Sequence, residues 1–190
     1  MGCEAMLKQK KVIVSLTSFP AAITFAEGAI KSILQGNTLP DKLVLYLTFS
    51  QFNNSKIPSE LTTLAKNNSL FEIRNYNEDI RSYRKLIPAL KDFPNDLIVT
   101  IDDDVSYHKN MLRDLLYLHK QIPEVIIANR AKKIKPNAPY RKWKKYRWYH
   151  FLFNKLHYSF KNIQTGVGGV LYPPNSLSEE VLNSKIFQEI

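Results

Sequence analysis

Short apolar runs alternate with amphipathic stretches along most of this chain. The apolar runs are rich in Val, Ile and Leu and are bounded by turn residues, which is typical of strands buried on both faces of a sheet. The predicted strands are 11–17, 42–47, 71–76, 97–101 and 125–128. The predicted helices between them are 22–34, 60–66, 82–91 and 109–120. Strands and helices that alternate in this way predict an α/β fold, with a mainly parallel sheet flanked by helices.

Three consecutive carboxylates, Asp102, Asp103 and Asp104, directly follow the apolar run 97–101. In α/β sheets, ligands bind in the crevice beyond the carboxyl ends of the strands, where this triplet is predicted to lie. On an extended backbone, Asp102 and Asp104 project to one side and Asp103 points away. Carboxylate oxygens favour Mg²⁺ or Mn²⁺, with substrate phosphates completing the coordination. The triplet therefore predicts a metal site for a phosphorylated ligand; an acidic, solvated helix start is the plainer alternative.

The charge of the chain is concentrated in one segment. The net charge is +10, and residues 130–161 alone contain eleven Lys or Arg and no Asp or Glu. The same segment contains nine aromatic residues. Cations mixed with aromatic rings are typical of contact with anionic lipid, sugar rings or single-stranded nucleic acid. We favour contact with a membrane surface or an acceptor, made through Trp143, Lys144, Lys145 and Trp148. Nucleic acid is not expected, because the acidic triplet occupies the predicted substrate edge and would repel its phosphates.

Two further segments are predicted to lie at the same edge of the sheet. Thr17 and Ser18 follow the first strand and offer hydroxyl groups and backbone N–H groups. The stretch 79–85 follows the third strand and offers one acid and several cations. The stretch 166–169 contains three glycines in four residues, which indicates close approach of the backbone to a ligand, although an ordinary tight turn explains it as well.

The remaining composition is that of an ordinary globular domain. Cys3 is the only cysteine, so neither an intrachain disulfide nor a Cys-based metal site is expected, which fits a reducing cytosolic setting. The N-terminal residues contain no long apolar run. We expect a cytoplasmic protein that is at most peripheral at the inner face of the cell membrane.

Taken in order, several segments resemble bacterial GT-A-fold glycosyltransferases (family 2-like, with a DxD-type metal site) of polysaccharide and lipopolysaccharide biosynthesis. The segments are VIVSLTSFP at 12–20, LPDKLVLYL at 39–47, SYRK at 82–85, VTIDDDV at 99–105, ANRA at 128–131, PYRKW at 139–143 and TGVGGVLYPP at 165–174. The resemblance covers nearly the whole chain. It implies a single GT-A-like domain over 1–190, in which 11–129 is the nucleotide-sugar-binding half, 130–161 the basic aromatic segment, and 162–190 the glycine loop and tail of an incomplete acceptor half.

The resemblance also implies an activity and a set of site residues. The activity is transfer of a sugar from a nucleotide-diphosphate donor, with a UDP-sugar favoured, to a glycan or glycolipid acceptor, with Mn or Mg as cofactor. Asp104 is implied as a direct metal ligand, Asp102 as a second ligand or one acting through water, and Asp103 as a residue near the ribose. The other implied positions are Thr17, Ser18 and Asp79 in the nucleoside pocket, Arg81 and Lys85 near the diphosphate, and Arg130, Gly166, Gly168 and Gly169 on the sugar and acceptor side.

One expected motif does not occur in the sequence. Glycosyltransferases of this kind continue past the Tyr-Pro-Pro segment to another acidic motif, which in inverting enzymes supplies the catalytic base, and this sequence reaches Ile190 without it. We therefore expect a shortened chain or a short relative in which turnover is impaired, and no catalytic base is assigned.

Two alternative functions are compatible with parts of the sequence. The pattern Asp102-x-Asp104-x-Ser106 resembles the nucleophile loop of haloacid-dehalogenase-type phosphatases, in which the first aspartate attacks phosphorus. The segment 130–161 alone is compatible with a non-catalytic module that binds membrane or nucleic acid.

Overall fold

A computed structural model of the protein describes residues 10–52, 56–146, 159–183 and 185–188. The predicted α/β architecture is confirmed: a six-stranded sheet carries helices on both faces. The strands of this sheet are β1 (Val12–Thr17), β2 (Lys42–Leu47), β3 (Phe71–Asn75), β4 (Leu97–Thr100), β5 (Ile127–Ala128) and β8 (Val170–Tyr172). The α-helices are α1 (Ile23–Leu34), α2 (Ser59–Asn67), α3 (Ile87–Asp92), α4 (Met111–Gln121) and α5 (Lys185–Gln188).

The sheet is mostly parallel, in the strand order β3-β2-β1-β4-β8-β5. The pairs β3–β2, β2–β1 and β1–β4 are parallel. At the other end of the sheet, β8, which is not among the predicted strands, lies between β4 and β5 and pairs antiparallel with both. The predicted strand 125–128 is also reduced to the two residues of β5.

Both faces of the sheet are buried, as the continuous apolar strands predict. In β2, Leu43, Leu45 and Leu47 pack in the layer formed with α1, α2 and α4. Val44 and Tyr46 point to the opposite face, in the layer that contains Ala89 of α3. Successive side chains of a strand alternate between the faces, so burial on both faces requires apolar residues at every position of the strand.

The predicted helix 82–91, in which the sequence indicates an irregularity at Pro88, is not continuous in the structure. It is divided into a 3₁₀ helix over Arg81–Lys85 and the short helix α3, with Pro88 in the first turn of α3. A proline lacks a backbone N–H and disfavours helical backbone at the residue before it, so it fits at the start of a helix and not inside one. The 3₁₀ helix contacts β1 and β2, which brings its charged side chains to one edge of the sheet.

A second, two-stranded sheet holds part of the basic segment. Strand β6 (Ala131–Lys133) pairs antiparallel with β7 (Asn162–Gln164). The ammonium of Lys132 is 3.4 Å from the ring centroid of Tyr140, and the indole N–H of Trp143 donates to the Ala138 carbonyl at 2.7 Å. Trp148 lies outside the described residues. Within the described ranges, no helix is both long and apolar enough to cross a membrane.

Candidate functional site

A cavity of about 550 Å³ opens at the carboxyl ends of β1, β2, β3 and β4. Each of these strands, or the loop that follows it, contributes to the cavity wall. Its lining residues are Thr17, Ser18, Phe19, Gln51, Asp79, Arg81, Ser82, Arg84, Lys85, Ile101, Asp102, Asp103 and Asp104. The structure therefore brings together the acidic triplet and the predicted donor-binding residues, although they follow three different strands, β1, β3 and β4.

Parallel pairing of β1 and β4 places the first loop beside the acidic triplet. Ser15 is aligned with Thr100, and the backbone N–H of Ile101 donates to the Ser15 carbonyl at 3.0 Å. At the end of β1, the Thr17 hydroxyl donates to the Tyr46 carbonyl of β2 at 2.8 Å. The residues that follow β1 and β4 consequently leave the sheet at the same edge.

The three aspartates lie in different surroundings. The predicted alternation of their side chains is wrong, because β4 ends at Thr100 and the backbone of Asp103 and Asp104 forms a turn. Asp102 is paired with the Lys85 ammonium, and Asp103 accepts a hydrogen bond from the Ser18 hydroxyl. Asp104 is exposed, and no hydrogen bond or ion pair joins its carboxylate to another residue of the described ranges.

Electrostatic effects at Asp103 oppose one another. Burial raises the pKa of its carboxyl, the hydrogen bond from Ser18 lowers it, and the neighbouring carboxylates of Asp104 and Asp102 raise it. The net pKa lies above the ordinary value for an aspartate. A cation bound at this edge would oppose that increase, because opposite charge favours the ionised carboxylate.

Tyr107 is a supporting residue that the sequence interpretation missed. The backbone N–H of Asp102 donates to its hydroxyl at 2.8 Å, and the Tyr107 N–H donates to the Ser32 hydroxyl of α1 at 3.0 Å. Burial raises the pKa of the Tyr107 hydroxyl, which therefore stays protonated. The tyrosine fixes the start of the acidic turn to the packed helical layer.

Arg84 was also missed, although it lies inside the singled-out stretch 79–85. It is only 2% exposed, and it lines the cavity. Its guanidinium donates to Asp79 at 3.0 Å and to the Gln51 side chain at 3.3 Å. Burial lowers the pKa of Arg84, while the Asp79 carboxylate opposes that change. The stretch 79–85 contains three cations, and no periodicity identifies which of them is buried.

Arg81 lies on the exposed side of the cavity and has a strained backbone. Its φ is +50°, in the left-handed region that side-chain-bearing residues rarely adopt. Its backbone N–H donates to the Asp79 carboxylate at 3.3 Å, which supports the turn. Local strain of this kind is found most often at ligand-binding sites, because the surrounding structure must stabilise it.

The glycine segment contacts residues of the cavity wall at only one of its predicted positions, Gly166, which is not itself a lining residue. A Cβ atom at Gly166 would lie 2.6 Å from a carboxylate oxygen of Asp102, so the backbone passes directly against the triplet. Gly168 packs instead against Asn129 and Arg130, and Gly169 packs against Met111 with a φ of +83°. Arg130, Gly168 and Gly169 do not line the cavity. For these two glycines, close packing and backbone conformation account for the residue type.

The carboxylates at this edge suit a hard divalent cation. In the described ranges, no group of three or more His, Cys, Asp or Glu side chains is arranged to hold a metal ion by itself. Mg²⁺ is commonly bound through one or two carboxylates, with phosphates and waters as the other ligands. The exposed carboxylate of Asp104, beside Asp102 and Asp103 in a cavity that also contains cations, fits that donor set.

The fold is similar to that of two solved proteins, a mannosyltransferase and a synthase. Over 64% of this chain and 36% of the other, the fold matches mannosyltransferase PcManGT from Pyrobaculum calidifontis in complex with GDP-Man and Mn²⁺, with a TM-score of 0.51 and 16% identity. Over 95% and 86% of the two chains, it is similar to 4-diphosphocytidyl-2C-methyl-D-erythritol synthase, with a TM-score of 0.48 and 10% identity. No protein family profile and no curated sequence matches the chain.

The match to the mannosyltransferase covers about a third of that protein, and at 16% identity it shows the fold alone. The fold is therefore GT-A-like, as the sequence resemblance implied.

Proposed function

We propose that this protein is a glycosyltransferase that takes a sugar from a nucleotide-diphosphate donor and transfers it to a glycan or glycolipid acceptor. The observation that carries the proposal is the cavity at the carboxyl edge of β1 to β4, which joins the acidic triplet to Arg81, Arg84 and Lys85. A nucleotide diphosphate needs both cationic contacts for its phosphates and oxygen ligands for an accompanying metal. The GT-A-like fold supports the same proposal.

The chain's own residues have distinct roles in this proposal. Asp104, with Asp102 as a second candidate ligand, would hold Mn²⁺ or Mg²⁺, and the metal would neutralise charge on the diphosphate leaving group. Thr17, Ser18 and Asp79 would contact the nucleoside. The exposed guanidinium of Arg81 would contact the diphosphate. UDP-sugars are the first donors to test and GDP-sugars the second, because the mannosyltransferase of similar fold was solved with GDP-Man.

Replacing Asp104 with Ala should weaken manganese-dependent binding of UDP or GDP by about tenfold or more, because the exposed ligand is lost. Calorimetric titration of each nucleotide, with and without Mn²⁺, measures the effect. Asp114→Ala is the matched control, since this aspartate is half exposed on α4 and paired with its neighbour Arg113. The wild type failing to bind either nucleotide, with or without metal, would contradict the proposed function.

The basic segment supports a second part of the proposal, which is docking at an anionic membrane that carries the acceptor. Lys133, Lys144 and Lys145 are exposed on or beside the two-stranded sheet. Trp143 is less suited to membrane insertion than the sequence predicted, because its indole N–H is bonded within the segment and its ring packs on Tyr140. The contact that we propose is therefore mainly electrostatic.

Reversing charge at Lys144 and Lys145 should reduce co-sedimentation with phosphatidylserine vesicles by about tenfold or more, since each basic residue near an anionic surface contributes about 1 kcal/mol. The double variant Lys144→Glu/Lys145→Glu is compared with Lys56→Glu/Lys109→Glu, which changes the same charge at two exposed lysines elsewhere. Binding should also weaken with salt. Equal loss in both double variants would indicate an effect of net charge alone.

The two alternative functions are not favoured. The first aspartate of the phosphatase pattern, Asp102, is paired with Lys85 and held close to Gly166. The described residues also form a GT-A-like sheet with a polar cavity. A module that only binds membrane or nucleic acid through its basic segment would require neither feature.

A further inference from the structure

The pair formed by Lys85 and Asp102 is fixed from several sides. Both side chains are largely buried, with 20% and 22% exposure. The Ser15 hydroxyl of β1 donates to the Lys85 carbonyl at 2.6 Å, and the Asp102 N–H donates to the Tyr107 hydroxyl at 2.8 Å. Hydrogen bonds to two packed elements therefore hold the backbone on each side of the pair.

Gly166 closes the remaining side of this pair. A Cβ atom there would lie 2.6 Å and 2.9 Å from the two carboxylate oxygens of Asp102, and 2.9 Å from the Lys85 ammonium. Contacts under 3.0 Å do not occur for real Cβ atoms, so any side chain at this position would displace the carboxylate or the ammonium. The backbone of Gly166 therefore covers one side of the pair, and both side chains line the cavity on the other.

The neighbouring carboxylates are not held in the same way. Asp103 accepts a hydrogen bond from a neutral hydroxyl, that of Ser18, and Asp104 is exposed. Among the three carboxylates, only Asp102 forms an ion pair with a cation of the described residues. An ammonium is a compact, strongly hydrated charge, and its contact with a carboxylate competes directly with a metal ion for the same oxygens.

We infer that Lys85 is a positioning residue that prevents the Asp102 carboxylate from acting as a metal ligand in the free protein. Asp104 is then the exposed carboxylate available to a divalent cation. Because one carboxylate holds the cation weakly, the cation binds together with a nucleotide diphosphate, whose phosphates supply further ligands, and not before it. The inference rests on the proposed function for the identity of the nucleotide, whereas the effect of Lys85 on Asp102 does not depend on that identity. In this inference Lys85 pairs with Asp102, whereas the sequence resemblance implied that Lys85 contacts the diphosphate.

Titration of Mn²⁺ alone into the protein, followed by the electron paramagnetic resonance signal of free Mn²⁺, tests this inference. The wild type should bind weakly. Lys85→Met should bind about tenfold more tightly or better, because a second carboxylate becomes available. Lys85→Arg should resemble the wild type. The double variant Lys85→Met/Asp102→Asn should lose the gain, which a merely structural role of Lys85 does not predict.

Two results would overturn the inference: binding by Lys85→Met within twofold of the wild type, or a gain that persists in the double variant. If Lys85→Met does not fold, the single variants Asp102→Asn and Asp104→Asn decide the matter. Asp102→Asn should leave the weak binding of Mn²⁺ unchanged and Asp104→Asn should reduce it, whereas an equal reduction in both overturns the inference. No nucleotide is present in these titrations, so they test the role of Lys85 alone. A failure of the proposed function would be seen separately, as the absence of nucleotide binding.

Discussion

Replacing Leu45 with Ala should lower the free energy of unfolding by about 3 kcal/mol, within a usual range of roughly 2–5 kcal/mol. Leu45 is fully buried in β2, which has a parallel neighbour on each side. It packs in the layer between the sheet and α1, α2 and α4. Truncation removes buried methyl groups and leaves a cavity that rigid strands cannot close. Urea unfolding monitored by circular dichroism measures the change.

Leu39→Ala is the matched control, because it deletes the same atoms from a side chain that is 50% exposed just before β2. Its effect should stay within about 0.5 kcal/mol. For a chain of this size, the buried substitution should also lower the melting temperature by roughly 6–12 °C. Similar losses for the two leucines would show that β2 is not packed between two layers as described.

Replacing Gly169 with Ala should be destabilising by about 2 kcal/mol, again measured by urea unfolding. Gly169 has φ +83° and ψ 138°, a conformation that costs a side-chain-bearing residue of order 1–3 kcal/mol. A Cβ atom would also lie 2.9 Å from the Met111 sulfur. The residue directly precedes β8, so a shift of its backbone would disturb pairing with β4 and β5.

Gly28→Ala makes the same chemical change with the opposite expected sign. Gly28 lies within α1, and a Cβ atom there would meet nothing within 4 Å. Alanine should therefore stabilise the helix by about 0.5–1 kcal/mol, because glycine has lower helix propensity. Gly169→Ala proving as stable as the wild type would contradict the backbone conformation described at that position.

The sequence predicts most of the sheet because buried parallel strands have an unmistakable composition. The strand 42–47 is apolar at every position after Lys42, and the structure gives β2 the same bounds. The edge that holds the acidic triplet also follows from sequence, because all the parallel strands of an α/β sheet end there. The sequence therefore predicts that Thr17, Ser18, Asp79 and Arg81 lie together, and in the structure they line one cavity.

Other features depend on contacts that local pattern does not encode. The position of β8 between β4 and β5 depends on pairing across about 70 residues, and its three-residue sequence does not specify a neighbour. The orientation of Asp103 depends on the turn that ends β4, which an extended-strand argument does not anticipate. Burial of Arg84, and not of another cation in 79–85, results from the 3₁₀ turn that packs the segment against β1 and β2.

The antiparallel insertion of β8 has a consequence for the order of folding. Strands β1 to β4 and their helices can assemble from neighbouring pieces of chain, but β4 then presents an unpaired edge until β8 arrives. Closing that long loop carries an entropic cost that is recovered only when the pairing forms. Among the described residues, the two-residue strand β5 is bonded to the sheet only through β8, so it can join only after β8. The edge of β4 stays open until β8 arrives. The final residue of β4 leads into the aspartates, so the glycine segment that precedes β8 takes its place beside them only in this late step.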